Sequence, residues 1–410
     1  MITSSVLFMV SPPEARDPSI RPAASRFRRS EPRREQSLLF ILPENDQYVS
    51  KSKSPVEEPA DIREESAVKA CVVHAARDVR IDHRDTAGAG AGEVMIGFAW
   101  GGICGSDIHY FEHGRVGDSI VRNPMVLGHE FSGTVIETGA GVTGLRPGDK
   151  VAVNPASPCG TCGFCRSGET NLCTDMQFMG SAARLPHRDG GFSEIVRVKA
   201  AQCVKVPAGA DLRHLAMAEP FAVALHAVAM AGEVSGRTVL VTGAGVIGQM
   251  VAVAARRAGA ERIIMSDVSP EACARAARLG ADEVVNAADP TALSALTATP
   301  RSDIVFEASG APQALDLAIE AMKPRGRLVQ VGFLPPVSPL HLAKLLTREL
   351  TITGTYRFSD EFEAAVQAIA AGEVDLRPMI SAELPLDAPE AVFERALDKA
   401  RTLKVMVTFQ

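Results

Sequence analysis

The sequence predicts an α/β protein of two lobes, a compact β-rich one followed by a doubly wound parallel sheet. Three observations carry this. From Val68 onward, short alternating or apolar segments are separated by Gly and Pro turns. Near Glu219 the texture changes to Ala-rich helical stretches alternating with apolar strands, the pattern of βαβ units. One of those strands runs straight into Gly243, Gly245 and Gly248, spaced GxGxxG, with helical sequence behind them. Composition agrees: 410 residues suffice for two full cores, and 46% hydrophobic with 22% charged residues is ordinary for a globular chain.

In chain order, residues 1–66 are rich in Arg, Pro, Ser and Glu and hold neither helical nor strand periodicity, so a disordered extension is expected there. Glu14, Asp17, Glu31 and Glu35 have the wrong charge for an organelle transit sequence. The apolar runs Val6–Val10 and Leu38–Leu42 are too short to cross a bilayer, and no Lys or Arg precedes the first as a signal peptide requires. No membrane partner is expected. The β-rich lobe follows, with strands expected at Ala70–Val73, Glu93–Phe98, Ser132–Glu137, Lys150–Val153 and Ser193–Val198. The parallel sheet is expected from Thr238–Thr242, Arg262–Ser266, Asp303–Ala308 and Arg327–Val331, with a helix over Gln249–Ala258. After about Thr353 come a helix, Asp360–Ala371, and a strand, Lys404–Phe409, expected to return to the first lobe. The net charge of −6 gives no electrostatic reason to expect nucleic acid.

Cysteine usage is the strongest chemical signal. Cys159, Cys162, Cys165 and Cys173 form CxxCxxC followed by one more Cys, half of the eight in the chain. Four thiolates this close satisfy one tetrahedral Zn²⁺ with no open position, a structural site. Two disulfides or a set of buried thiols are the alternatives. Gly160, Gly163 and Gly168 keep the stretch a turning loop, which suits a metal. Without the disulfide density of a secreted scaffold, a reducing cytoplasm is the simpler expectation.

At the glycine-rich turn, Gly243, Gly245, Val246, Ile247 and Gly248 allow close backbone approach to a pyrophosphate, and the helix amino terminus offers it free N–H groups. Asp267 ends the next apolar strand, 19 residues beyond Gly248. Its carboxylate can accept from ribose hydroxyls and repel a 2′-phosphate, favouring NAD over NADP. Capping the helix that follows is its other reading. A second metal set stands in GICGSDIHY (residues 102–110) and GHEFSGTV (residues 128–135). Cys104, His129 and Glu130 are the mixed donors of a catalytic zinc with an open position. Adjacent ligands at 129 and 130 require a bend near Gly128.

These motifs, with the AEP of Glu219, resemble the zinc-containing medium-chain dehydrogenases from about Val68 to Gln410. Through SDIHYFEHGRVGDSIVRNPMVLGHE the chain is similar to their polyol and sugar-acid branch. The resemblance implies a GroES-like catalytic domain over 67–218 carrying both zinc sites, a Rossmann cofactor domain over 219–352, and a return to the catalytic domain over 353–410. It implies two zinc ions per chain. Cys104 and His129 would be ligands of the catalytic one, Glu130 a third ligand or a water-holding neighbour, and Glu219 the remaining ligand, direct or through water. Asp107 would orient His129. Ser106 would take the substrate's hydroxyl proton, and His109 would pass it to water through the nicotinamide ribose. Tyr110 and Arg357 match positions near a polyol, and a guanidinium can hold a sugar-acid carboxylate. Arg357 does not separate acid from neutral polyol, because related sorbitol enzymes carry an Arg in the same motif. His113, Arg115 and His187 read as exposed polar surface.

Within that branch NPASPCGTCGFC, CTDMQFMGSA and PHRDGGF narrow the resemblance, and the activity so implied is reversible NAD-dependent oxidation of the C5 hydroxyl of L-idonate to 5-keto-D-gluconate. Its alternative is a xylitol or sorbitol dehydrogenase of the same branch. A homo-oligomer, dimer or tetramer, is expected from the same resemblance. A zinc-ribbon nucleic-acid binder would have no use for the glycine turn with Asp267 or for a mixed-ligand metal site. A non-catalytic scaffold would have no need of Cys104, Ser106, His109, His129, Glu130 and Glu219 together.

Overall fold

A computed structural model describes residues 67–409, and the extension expected over 1–66 lies outside the described residues. Strand Glu93–Gly102 is the hub of the first lobe. It pairs antiparallel with Glu130–Thr138, with Ile195–Lys199 and, at its end, with Lys404–Thr408. The seven-stranded sheet continues through Lys150–Val153 to Cys203–Lys205 on one side and ends at Ile380–Pro385 on the other. Alternation explains the core: Val94 and Ile96 point inward against Phe131, Val135, Val151 and Val153, all buried. A second, three-stranded sheet pairs Val68–Ala75 with Asp78–Arg84 and Met125–Val126. Its apolar face meets Phe111, Phe192 and Phe393.

The second lobe is a six-stranded sheet in which every pairing is parallel. Its order is Glu283–Asn286, Arg262–Asp267, Thr238–Thr242, Ser302–Glu307, Met322–Gln330, Thr351–Gly354. Counted along the lobe this is 3-2-1-4-5-6, so the strand order reverses between Thr238–Thr242 and Ser302–Glu307. A crevice for ligands opens at such a reversal. The expected architecture, a β-rich GroES-like lobe followed by a Rossmann-type parallel sheet, is therefore the fold of the described residues.

Helix Ala218–Ala231 connects the lobes. Ala222, Ala224 and Ala227 are fully buried, and small side chains let it lie close to helix Val246–Arg257, which offers Met250, Val251, Ala254 and Ala255. Helix Val246–Arg257 begins three residues before the expected Gln249, because Gly245 is its extended N-cap and Val246 and Ile247 already belong to the first turn.

Candidate active site

Cys104 sits where strand Glu93–Gly102 gives way to helix Gly105–His113, as the extended residue ahead of the first turn. His129 and Glu130 stand at the head of strand Glu130–Thr138, beyond a sharp bend at Gly128. Gly128 has φ +91°, and a Cβ there would overlap the Phe192 ring, so this position requires glycine. The bend lets consecutive residues offer donors to one point. One donor atom each from Cys104, His129 and Glu130 lies within 4.8 Å of the others.

Asp107 ties the two loops together. Its fully buried carboxylate accepts from the N–H of Cys104 at 3.0 Å and from the N–H of Gly128 at 3.2 Å. His129 Nδ1 stands 3.7 Å from Asp107 Oδ1, beyond hydrogen-bond reach. Asp107 therefore caps its helix and faces His129 at once.

Glu130 and Lys404 form an ion pair in which each side chain is 1% exposed. The Lys404 ammonium also donates to the Ile103 carbonyl at 3.0 Å. Gly102 makes room for them, since a Cβ there would overlap the Glu130 carboxylate and come within 2.6 Å of Lys404 Cε. The sequence reading missed Lys404, although a lone Lys in the apolar run LKVMV was a visible signal.

Glu219 lies in the first turn of helix Ala218–Ala231 and is 6% exposed. Burial pushes its carboxyl up to about 8; His129 opposes the rise, while Glu130 and Cys104 add to it. Burial, with the charges of Glu130 and Asp107, pushes the Cys104 thiol up to about 12. These acids are thus buried within range of one another's charges, and Lys404 opposes the rise of both Glu219 and Cys104. His129 Nδ1 has no hydrogen-bond partner, while Glu130 Oε2 is the oxygen held by Lys404. A thiol, an imidazole and carboxylates arranged so fit a divalent zinc ion, whose charge offsets theirs.

Ser106 and His109 stand one turn apart on helix Gly105–His113 and share a face. Tyr110, on the same helix, is 3% exposed and accepts from the Ala182 N–H at 3.0 Å, leaving its own O–H to donate. Arg357 has φ +55°, and its guanidinium lies over the ring of Phe178 at 4.4 Å and of Tyr356 at 4.9 Å. The Phe178 ring is 5.6 Å from that of His129, so Arg357 is one aromatic ring from the donor cluster. Phe178 was the second residue missed, for an aromatic in the two-residue strand Gln177–Phe178 carries no sequence signal.

At the crevice, Gly243 has φ +91°, and a Cβ on Gly248 would overlap the Gly243 carbonyl oxygen. Gly245, by contrast, faces open space, and no side chain caps the helix it begins, so its first N–H groups are available to a phosphate. Asp267 accepts from the N–H of Ala244 at 2.8 Å and of Ser269 at 2.9 Å. Ser269, not Asp267, caps the helix Pro270–Arg278. Sequence reading also missed Glu307, whose fully buried carboxylate accepts from the N–H groups of Ser309 and Gly310 at the far wall of the crevice.

Cys159, Cys162, Cys165 and Cys173 lie with their sulfurs within 4.8 Å of one another, and all are free thiols, so the disulfide alternative is set aside. Backbone N–H groups point at the sulfurs: Cys159 N to Cys173 Sγ at 3.2 Å, Cys162 N to Cys159 Sγ at 3.4 Å, Cys165 N to Cys162 Sγ at 3.5 Å. Donation from the Cys165 and Thr174 N–H groups pulls Cys162 down to about 6, which favours the thiolate a metal needs. Gly160 and Gly168, at φ +74° and +86°, turn the loop.

Fold and site together define a zinc-binding dehydrogenase of the GroES-like and Rossmann type, and the chain belongs to that family. Residues 90–208 match the alcohol dehydrogenase GroES-like domain and residues 246–371 the zinc-binding dehydrogenase domain. It is an oxidoreductase of CH–OH groups, a polyol or sugar dehydrogenase using zinc and a nicotinamide dinucleotide. Among its relatives, L-idonate 5-dehydrogenase (NAD(P)(+)) of Escherichia coli K12 is 39% identical over 316 residues, 77% of this chain and 92% of that one. Sorbitol dehydrogenase of Gallus gallus is 34% identical over 345 residues, 82% of this chain and 95% of the other. The crystal structure of the Escherichia coli L-idonate enzyme superposes with a TM-score of 0.78 at 38% identity, over 83% of this chain and 98% of that one. Among the described residues, no helix is long and apolar enough to cross a membrane.

Proposed function

We propose that the protein oxidises the C5 hydroxyl of L-idonate to 5-keto-D-gluconate with NAD, reversibly. The observation that carries the reading is the convergence of Cys104, His129 and Glu130, with the buried Glu219 beside them, in a chain similar to the Escherichia coli L-idonate enzyme. Cys104 and His129 would hold the catalytic zinc, with Glu130 and Glu219 completing the set directly or through water. The four thiolates would hold the structural zinc. Bound together, zinc and the nicotinamide supply Lewis acidity at the secondary hydroxyl and an acceptor for its hydride.

The chain's own residues do the rest. Ser106 takes the hydroxyl proton, and His109, one turn further along, delivers it to solvent; the neutral imidazole this needs is favoured because partial burial, His113 and Lys399 lower the His109 pKa. Arg357, held over Phe178, offers a fixed guanidinium to the sugar-acid carboxylate, and Tyr110, whose hydroxyl meets Ala182 and Ser181, stands on the helix that carries Ser106 and His109. Asp267 keeps a lone pair on each oxygen for the ribose hydroxyls, which favours NAD over NADP. In this reading residues 67–218 and 353–410 form the catalytic domain and 219–352 the cofactor domain, in a cytoplasmic dimer or tetramer.

The test is a panel of L-idonate, xylitol and sorbitol, each with NAD and NADP, followed by nicotinamide absorbance. A clear preference for L-idonate supports the proposal. No rate with it beside a robust one with sorbitol replaces it with the second reading, which the similarity to sorbitol dehydrogenases supports.

A further inference from the structure

We propose that His109, Glu112 and His113 form a third metal site, a surface site for a divalent transition-metal ion, and that filling it inhibits the enzyme by withdrawing His109 from proton transfer. The site is separate from the two zinc centres above. One donor atom from each of the three residues lies within 4.8 Å of the others. Residues at i, i+3 and i+4 share one face of an α-helix, and helix Gly105–His113 supplies that spacing in its last two turns. The imidazole centroids are 5.7 Å apart with the planes tilted by 30°, so the rings stand side by side.

Bonds of about 2.0–2.1 Å from zinc hold neighbouring donors roughly 3.3 Å apart. Small rotations of exposed side chains close that difference. His109 and His113 are both exposed, so ligand atoms reach the solvent without any opening of the fold. Two imidazoles and one carboxylate suit Zn²⁺, Ni²⁺ or Cu²⁺ and leave further positions to water, while the all-oxygen preference of Ca²⁺ and Mg²⁺ is not met. Glu112 also faces the Arg77 guanidinium at 3.3 Å, a half-exposed contact that a metal would have to displace. Occupancy is therefore reversible, and the site is weaker than the four-thiolate one.

Binding stands on this geometry alone, whereas inhibition rests on the His109 role given under Proposed function. The two are separated by the readouts. Holoenzyme carrying its resident zinc is dialysed against Ni²⁺, and Ni and Zn are counted in the same sample; oxidation rates are then followed with and without Ni²⁺. The expected result is one Ni per chain with zinc retained, and a rate that falls as that Ni binds. Changes beside a ligand cost roughly 10–100-fold in metal affinity, so loss of a ligand in His113→Ala lowers Ni affinity by about tenfold or more and moves the inhibition with it. Glu112→Gln does the same to a lesser degree. The inhibition of each variant is read against that variant's own rate in metal-free buffer. No extra Ni on the wild type, or equal Ni affinity in His113→Ala, overturns the site. Binding with no change of rate overturns the inhibition, whichever polyol or sugar acid proves to be the substrate.

Discussion

Replacing Lys404 with Met tests how the metal site is held. Lys404 and Glu130 are each 1% exposed, so neither charge can turn to water when the other is removed. Breaking a buried pair by deleting one partner costs about 3–5 kcal/mol, because the remaining charge stays desolvated. The Ile103 carbonyl loses its donor in the same substitution, an orphaned acceptor that adds about 1–3 kcal/mol where no water enters. Met matches the length of the Lys stem, so no cavity term enters. The expected loss is therefore about 4–8 kcal/mol, a large part of the roughly 5–15 kcal/mol that holds a domain folded. Urea unfolding at equal zinc content measures it. The double variant Lys404→Met, Glu130→Gln removes both charges and is expected to recover more than half of the loss. A single variant within about 1 kcal/mol of wild type, or a double variant no more stable than the single, would refute the reasoning.

Four further outcomes are expected. Ser106→Ala keeps two zinc ions per chain while kcat falls about 10²–10⁴-fold, since it removes the proton acceptor and no ligand; zinc analysis beside a rate assay reads both. Gly245→Ala folds normally, because its Cβ would face open space, but binds the dinucleotide more weakly; Gly248→Ala destabilises the fold itself, because its Cβ would overlap the Gly243 carbonyl; thermal unfolding with and without nucleotide separates the two. Cys162→Ser lowers zinc from two per chain to one and destabilises the chain, read by metal analysis and urea unfolding. His214 accepts from the Leu376 N–H at 3.0 Å, and burial lowers its pKa. A depressed folded pKa gives stability that is present above the unfolded value of about 6.5 and is lost as pH falls through the folded value. Urea midpoints on the acid side of neutrality should fall less steeply in His214→Gln than in wild type.

What was legible in the sequence was what local chemistry dictates. Strands Lys150–Val153 and Thr238–Thr242 have the bounds the apolar pattern gave them, because buried strands flanked by turns leave little choice of register. The cysteine loop and the glycine turn were equally plain, since each places its whole chemistry within about fifteen residues. Lys404 was harder to place: its partner Glu130 lies 274 positions away in the chain, and only the pairing of Lys404–Thr408 beside Gly101 and Gly102 brings them together. Phe178 and Glu307 were invisible for a similar reason, as one stands near His129 from the separate short strand Gln177–Phe178 and the other gains its role from the Ser309–Gly310 turn across the crevice.

Helix Ala218–Ala231 shows how the two halves of the chemistry are coupled. Its first turn places the buried Glu219 where the charges of His129, Glu130 and Cys104 act on its carboxyl, and the helix packs on helix Val246–Arg257, which starts at the glycine turn. One rigid element thus bears on both the metal site and the nucleotide site. A larger side chain at Ala227 would strain the packing of this helix, since the position is fully buried and tolerates no added volume without about 1–3 kcal/mol of strain. Displacement of the helix would reach Glu219 as well as Gly245. Ala227→Val is accordingly expected to weaken zinc retention and dinucleotide affinity together, though it touches neither ligand. Dialysis against a chelator and nucleotide titration of the same preparation measure the pair of effects, and a change in only one of them would show that the helix does not couple the sites.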